Sequence, residues 1–113
     1  MPRLPTAFDF RAATIKRLVF GCISGFCSAD QRRKRLNPGD VLIMFAANAD
    51  VTVTFRGASP FVSGTNPIRI RKGGIHTEIV ARPSSLPKTF LYRLSCENPS
   101  CPALQDPPEM IVE

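Results

Sequence analysis

An all-β sandwich or barrel of seven or eight short strands is the fold class that this sequence predicts, on three observations. Apolar and polar residues alternate at Val51–Phe55, Ile68–Arg71 and Phe90–Leu94, the period-2 pattern of half-buried strands. Turn chemistry separates such stretches at short spacing: Asn37-Pro-Gly-Asp40, Lys72-Gly-Gly74 and the Pro/Ser run between Arg82 and Lys88. Eight Phe, 11 Pro and 7 Gly in 113 residues suit short strands and punctuated turns better than long helices.

The length and the 43% hydrophobic content predict one domain over residues 1–113, with 1–7 as a flexible lead. A chain this long buries roughly two-thirds of its unfolded surface, so its core needs no staples. No apolar run approaches the roughly 18 residues of a membrane-spanning helix. The opening M-P-R-L-P-T-A-F-D-F has neither the apolar stretch nor the cleavage site of an export signal. The expectation is therefore a cytoplasmic protein, or a periplasmic or secreted one if a signal peptide has been removed. The net charge of +6 weakly favours anionic partners.

In chain order, Phe8-x-Phe10 has strand spacing, and Ala12–Phe20 reads as a strand that Gly21 ends. Cys22–Cys27 reads as a small glycine-flanked loop, followed by the densest basic run, Arg32–Arg35. Leu36–Asp40 is a turn. Val41–Phe45 is a continuous apolar run, the mark of a strand covered on both faces. Ala46–Asp50 turns the chain into Val51–Phe55. Gly57–Pro67 is a loop whose Phe61 and Val62 pack over an edge. The strands Ile68–Arg71, His76–Ala81 (Ile79 inward), Phe90–Ser95 and Met110–Val112 complete the set. Much of the core is expected from Val41, Ile43, Val51, Val53, Phe55, Ile70, Ile79, Phe90, Tyr92 and Leu94.

Two stretches together resemble the cupredoxin-like β-sandwich family. Tyr92 and Cys96 match the Y-x-Y-x-C strand that leads into that family's metal-ligand loop, and Leu36-Asn-Pro-Gly-Asp-Val-Leu-Ile looks like the L-x-x-G-D-x-V opening of its central strand. The resemblance covers about residues 36–113 and implies a single Greek-key sandwich; an immunoglobulin-like sandwich is the alternative. It also implies a copper site of two imidazoles, a thiolate and a weak axial thioether. Cys96 stands at the thiolate position. Asn48, Ala49 and Asp50 occupy the region of the upstream histidine, and Cys101 that of the downstream one. Met110 falls too late for an axial ligand and reads as strand core. His76 lies on another strand and cannot supply both imidazoles, so a blue-copper centre is not expected.

Cysteine spacing is the other chemical signal: Cys22-x4-Cys27 and Cys96-x4-Cys101. The family's topology implies that the first strand runs parallel to the central one, which would bring the two Cys loops to the same end. Four thiolates from Cys22, Cys27, Cys96 and Cys101 would then make a tetrahedral zinc site, the cofactor such soft ligands suit. The alternatives are disulfides, local or cross-linking, and free thiols. Local pairing within each x4 loop is worth about 2 kcal/mol, and a cross-link such as Cys22 to Cys96 about 4.5 kcal/mol.

Arg32, Arg33, Lys34 and Arg35 could grip the phosphates of nucleic acid or another anionic partner. The plainer reading is a solvated loop at the end opposite the cysteines. Asp40 and Asp50 read as turn residues. No nucleophile–base spacing, phosphate loop or carboxylate pair argues for an enzyme. The function expected is a non-enzymatic binding or assembly module with a cysteine-organised end and a protein partner. A basic adaptor acting through Arg32–Arg35 and a copper-handling or thiol redox protein are the alternatives.

Overall fold

The computed structural model of the protein describes residues 14–113. The expectations for residues 1–7, Phe8-x-Phe10 and the start of the first strand lie outside them. Nine strands follow in order: β1 Ile15–Ile23, β2 Phe26–Ala29, β3 Arg33–Leu36, β4 Val41–Ala46, β5 Asp50–Phe55, β6 Ile68–Ile70, β7 Ile75–Ile79, β8 Lys88–Glu97 and β9 Glu109–Val112. They form a four-stranded sheet, β2-β1-β4-β7, and a five-stranded one, β3-β9-β8-β5-β6. This is the all-β sandwich expected. The pairs β1/β4 and β3/β9 are parallel, and the rest are antiparallel.

Leu18, Phe20, Leu42 and Met44 from the smaller sheet face Val51, Val53, Phe55, Ile68, Phe90, Tyr92, Leu94 and Met110 from the larger. Tyr92 is the hub: its ring meets Phe20 edge-on at 6.2 Å and Phe55 tilted at 5.5 Å, and Phe55 meets Phe61 edge-on at 5.6 Å. Such aromatic pairs add to area burial. Met110 is fully buried, as core, in β9.

Two strands exceed the expected set. The Cys22–Cys27 segment is a hairpin rather than a loop, because β1 runs through Gly21 to Ile23 before turning. Ser24 and Gly25 both have positive φ, +53° and +85°, the two-residue turn that matches strand twist. Gly21 does not break the strand; it clears space, since a Cβ there would collide with the Asn48 side chain. The basic run forms the edge strand β3 instead of a loop. It pairs in parallel with β9, Leu36 beside Val112.

Three core assignments are corrected. Val41 and Ile43 are only half-buried, while Leu42, Met44 and Ala46 point inward. A continuous apolar run carries no phase, and a one-residue shift exchanges the faces. Across β4, Ile79 is paired with Val41 and points outward at 50% exposure, whereas Glu78 is buried opposite Leu42. Glu78 is tolerated inside because Ser63 Oγ donates to one carboxylate oxygen (2.8 Å) and His76 Nε2 lies 2.6 Å from the other. Phe61 packs as expected, but Val62 is 67% exposed.

One consequence is an uncovered face. The outer side of the four-stranded sheet carries two apolar rows, Ile15–Val41–Ile79 and Val19–Phe45–Ile75. They are joined along β4 by Ile43, whose own lateral partners are the exposed Arg17 and Thr77. The outer side of the five-stranded sheet carries Thr52, Thr54, Arg69, Arg93 and Ser95, with half-buried Leu91 and Ile111 toward its other edge.

Candidate functional site

The two Cys segments do meet at one end. Parallel pairing of β1 and β4 sends Cys22 and Ala46 the same way, and Cys96 at the end of β8 lies opposite Val51 at the start of β5. Each x4 spacing sets two cysteines side by side. Cys22 faces Cys27 across the β1/β2 hairpin, and Cys96 faces Cys101 across a tight turn in which Asn98 has φ +54°.

The covalent bonds run between the turns rather than within them. Cys22 joins Cys101 and Cys27 joins Cys96, with Cα–Cα separations of 6.2 and 5.6 Å in the ordinary disulfide range. Local pairing is therefore overturned. Side-by-side cysteines in antiparallel turns can bond straight across to a facing turn, zipping the two together. The first bond closes a loop between residues 79 apart, worth about 4.5 kcal/mol of chain entropy. The second then closes a ring of only roughly a dozen residues, adding about 3 kcal/mol.

Asn48 and Asp50, expected only as turn residues or in the region of an absent histidine, brace this clasp together with Asn98. Asn48 Oδ1 accepts from the Cys22 N–H (2.8 Å), and its amide donates back to the Cys22 carbonyl (3.0 Å). Asp50 accepts from the Asn98 amide (3.0 Å) and from the Lys72 N–H (2.8 Å). The hydrogen bond from Asn98, then that from Lys72, holds the Asp50 carboxyl below its ordinary range. The available signal was N-A-D just before a strand, beside a second Asn near the cysteines.

Metal can be tested against this donor set. The Sγ atoms of Cys22, Cys96 and Cys101 lie within 4.8 Å of one another, but all belong to disulfides. A disulfide sulfur is not the thiolate that zinc or copper binds. Asn48, Asp50 and Cys101, which the sequence resemblance sets in the regions of the copper imidazoles, are not imidazoles and are all engaged as described. His76 Nε2 is bonded to Glu78 on β7. In this pairing the residues do not fit a blue-copper centre, and the zinc set of Cys22, Cys27, Cys96 and Cys101 would exist only after reduction.

The basic run is largely committed to its own sheet. Arg35 makes a forked pair with Glu113 (3.0 and 3.1 Å), Arg33 lies 3.6 Å from Glu109, and Arg32 lies 3.9 Å from Asp106. Lys34 donates to Gln31 (3.0 Å). Its ammonium is pushed below the ordinary value chiefly by burial, with Asp30 opposing and Lys16 assisting.

No protein-family model and no curated protein matches the sequence. Solved structures do. The chain superposes on the reduced Cu(I) form of an amicyanin mutant at pH 4 with TM-score 0.53 and 13% identity, covering 86% of this chain and 82% of that one. A second amicyanin mutant, also Cu(I), gives 0.51 at 16% identity with the same coverage. Fet3p, a multicopper oxidase that functions in iron import, gives 0.54 at 11% identity, over 88% of this chain and 27% of that one. Identities this low speak to architecture alone. With the strand order and the expected meeting of its Cys-bearing turns at one end, the chain has a cupredoxin-like fold, with its four cysteines paired in two disulfides at that end.

Proposed function

We propose that this domain is a non-enzymatic binding module of an oxidising compartment, and that a protein partner covers the outer face of its four-stranded sheet. The observation that carries the reading is that face: Ile15, Ile75 and Ile79 are 70%, 64% and 50% exposed around half-buried Val19, Val41, Ile43 and Phe45. Isolated exposed aliphatics need no explanation, but here two apolar rows are joined through Ile43, with Arg17 and Thr77 as the polar positions between them. Such a patch on a regular sheet favours burial against another protein. The disulfides support the compartment, because such bonds persist outside reducing cytosol. They also support a structural role for the cysteine end.

The alternative through Arg32–Arg35 has less support, since three of those cations already face carboxylates. Copper handling or thiol redox work would require the reduced cysteines.

Sedimentation over a wide concentration range tests the simplest partner, a second copy. A photo-reactive side chain placed at Ile43 tests a different one. Association or cross-linking should be abolished by Ile75→Asp/Ile79→Asp while the melting temperature changes little. A partner that binds wild type and this variant equally would overturn the assignment.

A further inference from the structure

Arg32, Arg56 and Arg93 share a cavity beside the five-stranded sheet. β5 and β8 pair Thr54 with Arg93, and the Arg56 N–H donates to the Leu91 carbonyl (3.0 Å). Arg56 and Arg93 are thus diagonal neighbours on the outer face, a relation that sets positions roughly 7–8 Å apart. The segment from Ala103 to Pro108 crosses beside them. It is tied by Cys27 N–H to the Pro102 carbonyl (2.7 Å) and by Tyr92 N–H to the Pro108 carbonyl (3.1 Å). Beneath it is a cavity of about 250 Å³ whose lining includes Arg32, Arg56, Arg93, Leu104, Asp106 and Pro107.

The charges there do not cancel. Asp106 is the one carboxylate in the lining; it lies 3.9 Å from Arg32 and its side chain is 83% exposed. No carboxylate among the described residues comes within 4.0 Å of Arg56 or Arg93. This sets the pair apart from Arg33 and Arg35 on the neighbouring edge strand, which face Glu109 and Glu113. Guanidinium groups bind planar carboxylates and phosphate oxygens through paired N–H donors. Arg32, Arg56 and Arg93 are all exposed, so the cavity is open to an anion from solvent. Leu104 and Pro107 provide an apolar wall. The volume is below the usual range for drug-sized ligands, which restricts the occupant to something small.

We propose that this cavity binds a small organic anion, a carboxylate or phosphate monoester on a short apolar body, with Arg56 and Arg93 as the principal donors and Arg32 beside them. The wall of the site hangs from the clasp: Pro102 and Ala103 follow Cys101 directly and lie against Cys27. Breaking the disulfides should therefore loosen the site as well as the end of the sandwich.

Titration calorimetry of the oxidised chain at fixed ionic strength tests this with three probes: inorganic phosphate, phenyl phosphate and benzoate. Saturable one-to-one binding of phenyl phosphate or benzoate, tighter than that of inorganic phosphate, is expected; whichever is tighter identifies the source of the oxyanion. Arg56→Gln/Arg93→Gln should weaken it at least tenfold. Arg69→Gln/Arg71→Gln, which removes equal charge elsewhere, should change it less than twofold. Arg93→Lys keeps the charge and loses the fork, and should fall between. The proposal is overturned if no probe saturates, if both double variants weaken binding equally, or if Arg56→Gln/Arg93→Gln, checked to melt like wild type, leaves it unchanged.

Discussion

The two ends of this sandwich are closed by different chemistry. Where β1 and β4 finish, Cys22–Cys101 and Cys27–Cys96 zip two turns together covalently. Where the same strands begin, a fully buried carboxylate, Asp40, does the joining. It accepts from the Thr14 N–H (2.9 Å), the Asn37 N–H (2.7 Å) and Lys16 Nζ (2.8 Å). The covalent end acts largely through the unfolded chain, by limiting its freedom. The ionic end acts in the folded state, by supplying three donors to a carboxylate that would otherwise be buried unpaired. One should answer to reductant and the other to acid.

The largest effect expected is reduction. Breaking both disulfides removes about 7 kcal/mol of chain-entropy stabilisation, comparable to the whole stability of a small domain. Urea unfolding with and without reductant checks this. The two bonds should be non-additive: losing either alone leaves the other closing a long loop, so each single Cys→Ser pair should cost only about 3 kcal/mol. Equal midpoints in both conditions would show that the clasp is not formed in solution.

Next in size is Asp40→Asn, which should cost about 2 kcal/mol by removing the counter-ion of Lys16, whose ammonium keeps the Arg35 carbonyl and Asn37 Oδ1, and by weakening two backbone bonds. Burial alone would raise the Asp40 carboxyl, but the Lys16 and backbone hydrogen bonds outweigh it and hold the group below its ordinary range. A depressed folded value means stability that is complete above about pH 4 and lost as pH falls through the folded value. The gap between wild type and variant should therefore be flat near neutrality and narrow in acid, with or without reductant. A gap that vanished under reductant would show the two ends to be coupled.

Much of this was legible in the sequence. Alternation at Val51–Phe55 and Phe90–Leu94 gave both the strands and their inward faces, and those residues are buried. Asp40 read correctly as a turn residue. The resemblance carried by Tyr92 and Cys96 implied that the cysteine turns meet. Illegible was whatever depends on phase or on distant partners. Val41–Phe45 is apolar at every position, so nothing marked Leu42 rather than Ile43 as inward. Glu78 is buried because Ser63 and His76 receive it; His76 sits two residues away on the same strand face, but Ser63 comes from a separate loop that local sequence does not reveal. Local x4 spacing hid the cross-pairing, since it fits a bond within a turn and one between turns equally well.

Asn48→Ala should be milder. It removes both bonds to Cys22, but at an exposed site where water can replace them, so about 1 kcal/mol is expected. Its cost should grow once the disulfides are reduced, because Asn48 then holds the β1 turn without covalent help. A cost independent of reductant would mean that Asn48 merely fills space beside Gly21.

The smallest effect is expected midway between the ends, and its sign is the informative part. Tyr92 is packed between Phe20 and Phe55, and its Oη, buried, finds no hydrogen-bond partner among the described residues. Burial, with the nearby Asp30 charge, pushes its ionisation well above the ordinary range, so the phenol stays neutral at any working pH. A buried unpaired hydroxyl costs about 1–3 kcal/mol, and removing it while keeping the ring relieves that cost without opening a cavity. Tyr92→Phe should therefore leave stability unchanged or raise it by up to about 1 kcal/mol, equally in oxidised and reduced protein and at every pH above 4. Thermal unfolding of the two proteins side by side decides it. A loss of 1 kcal/mol or more would show that the hydroxyl has a partner in solution, and that the core between the two closures is held by a polar bond as well as by packing.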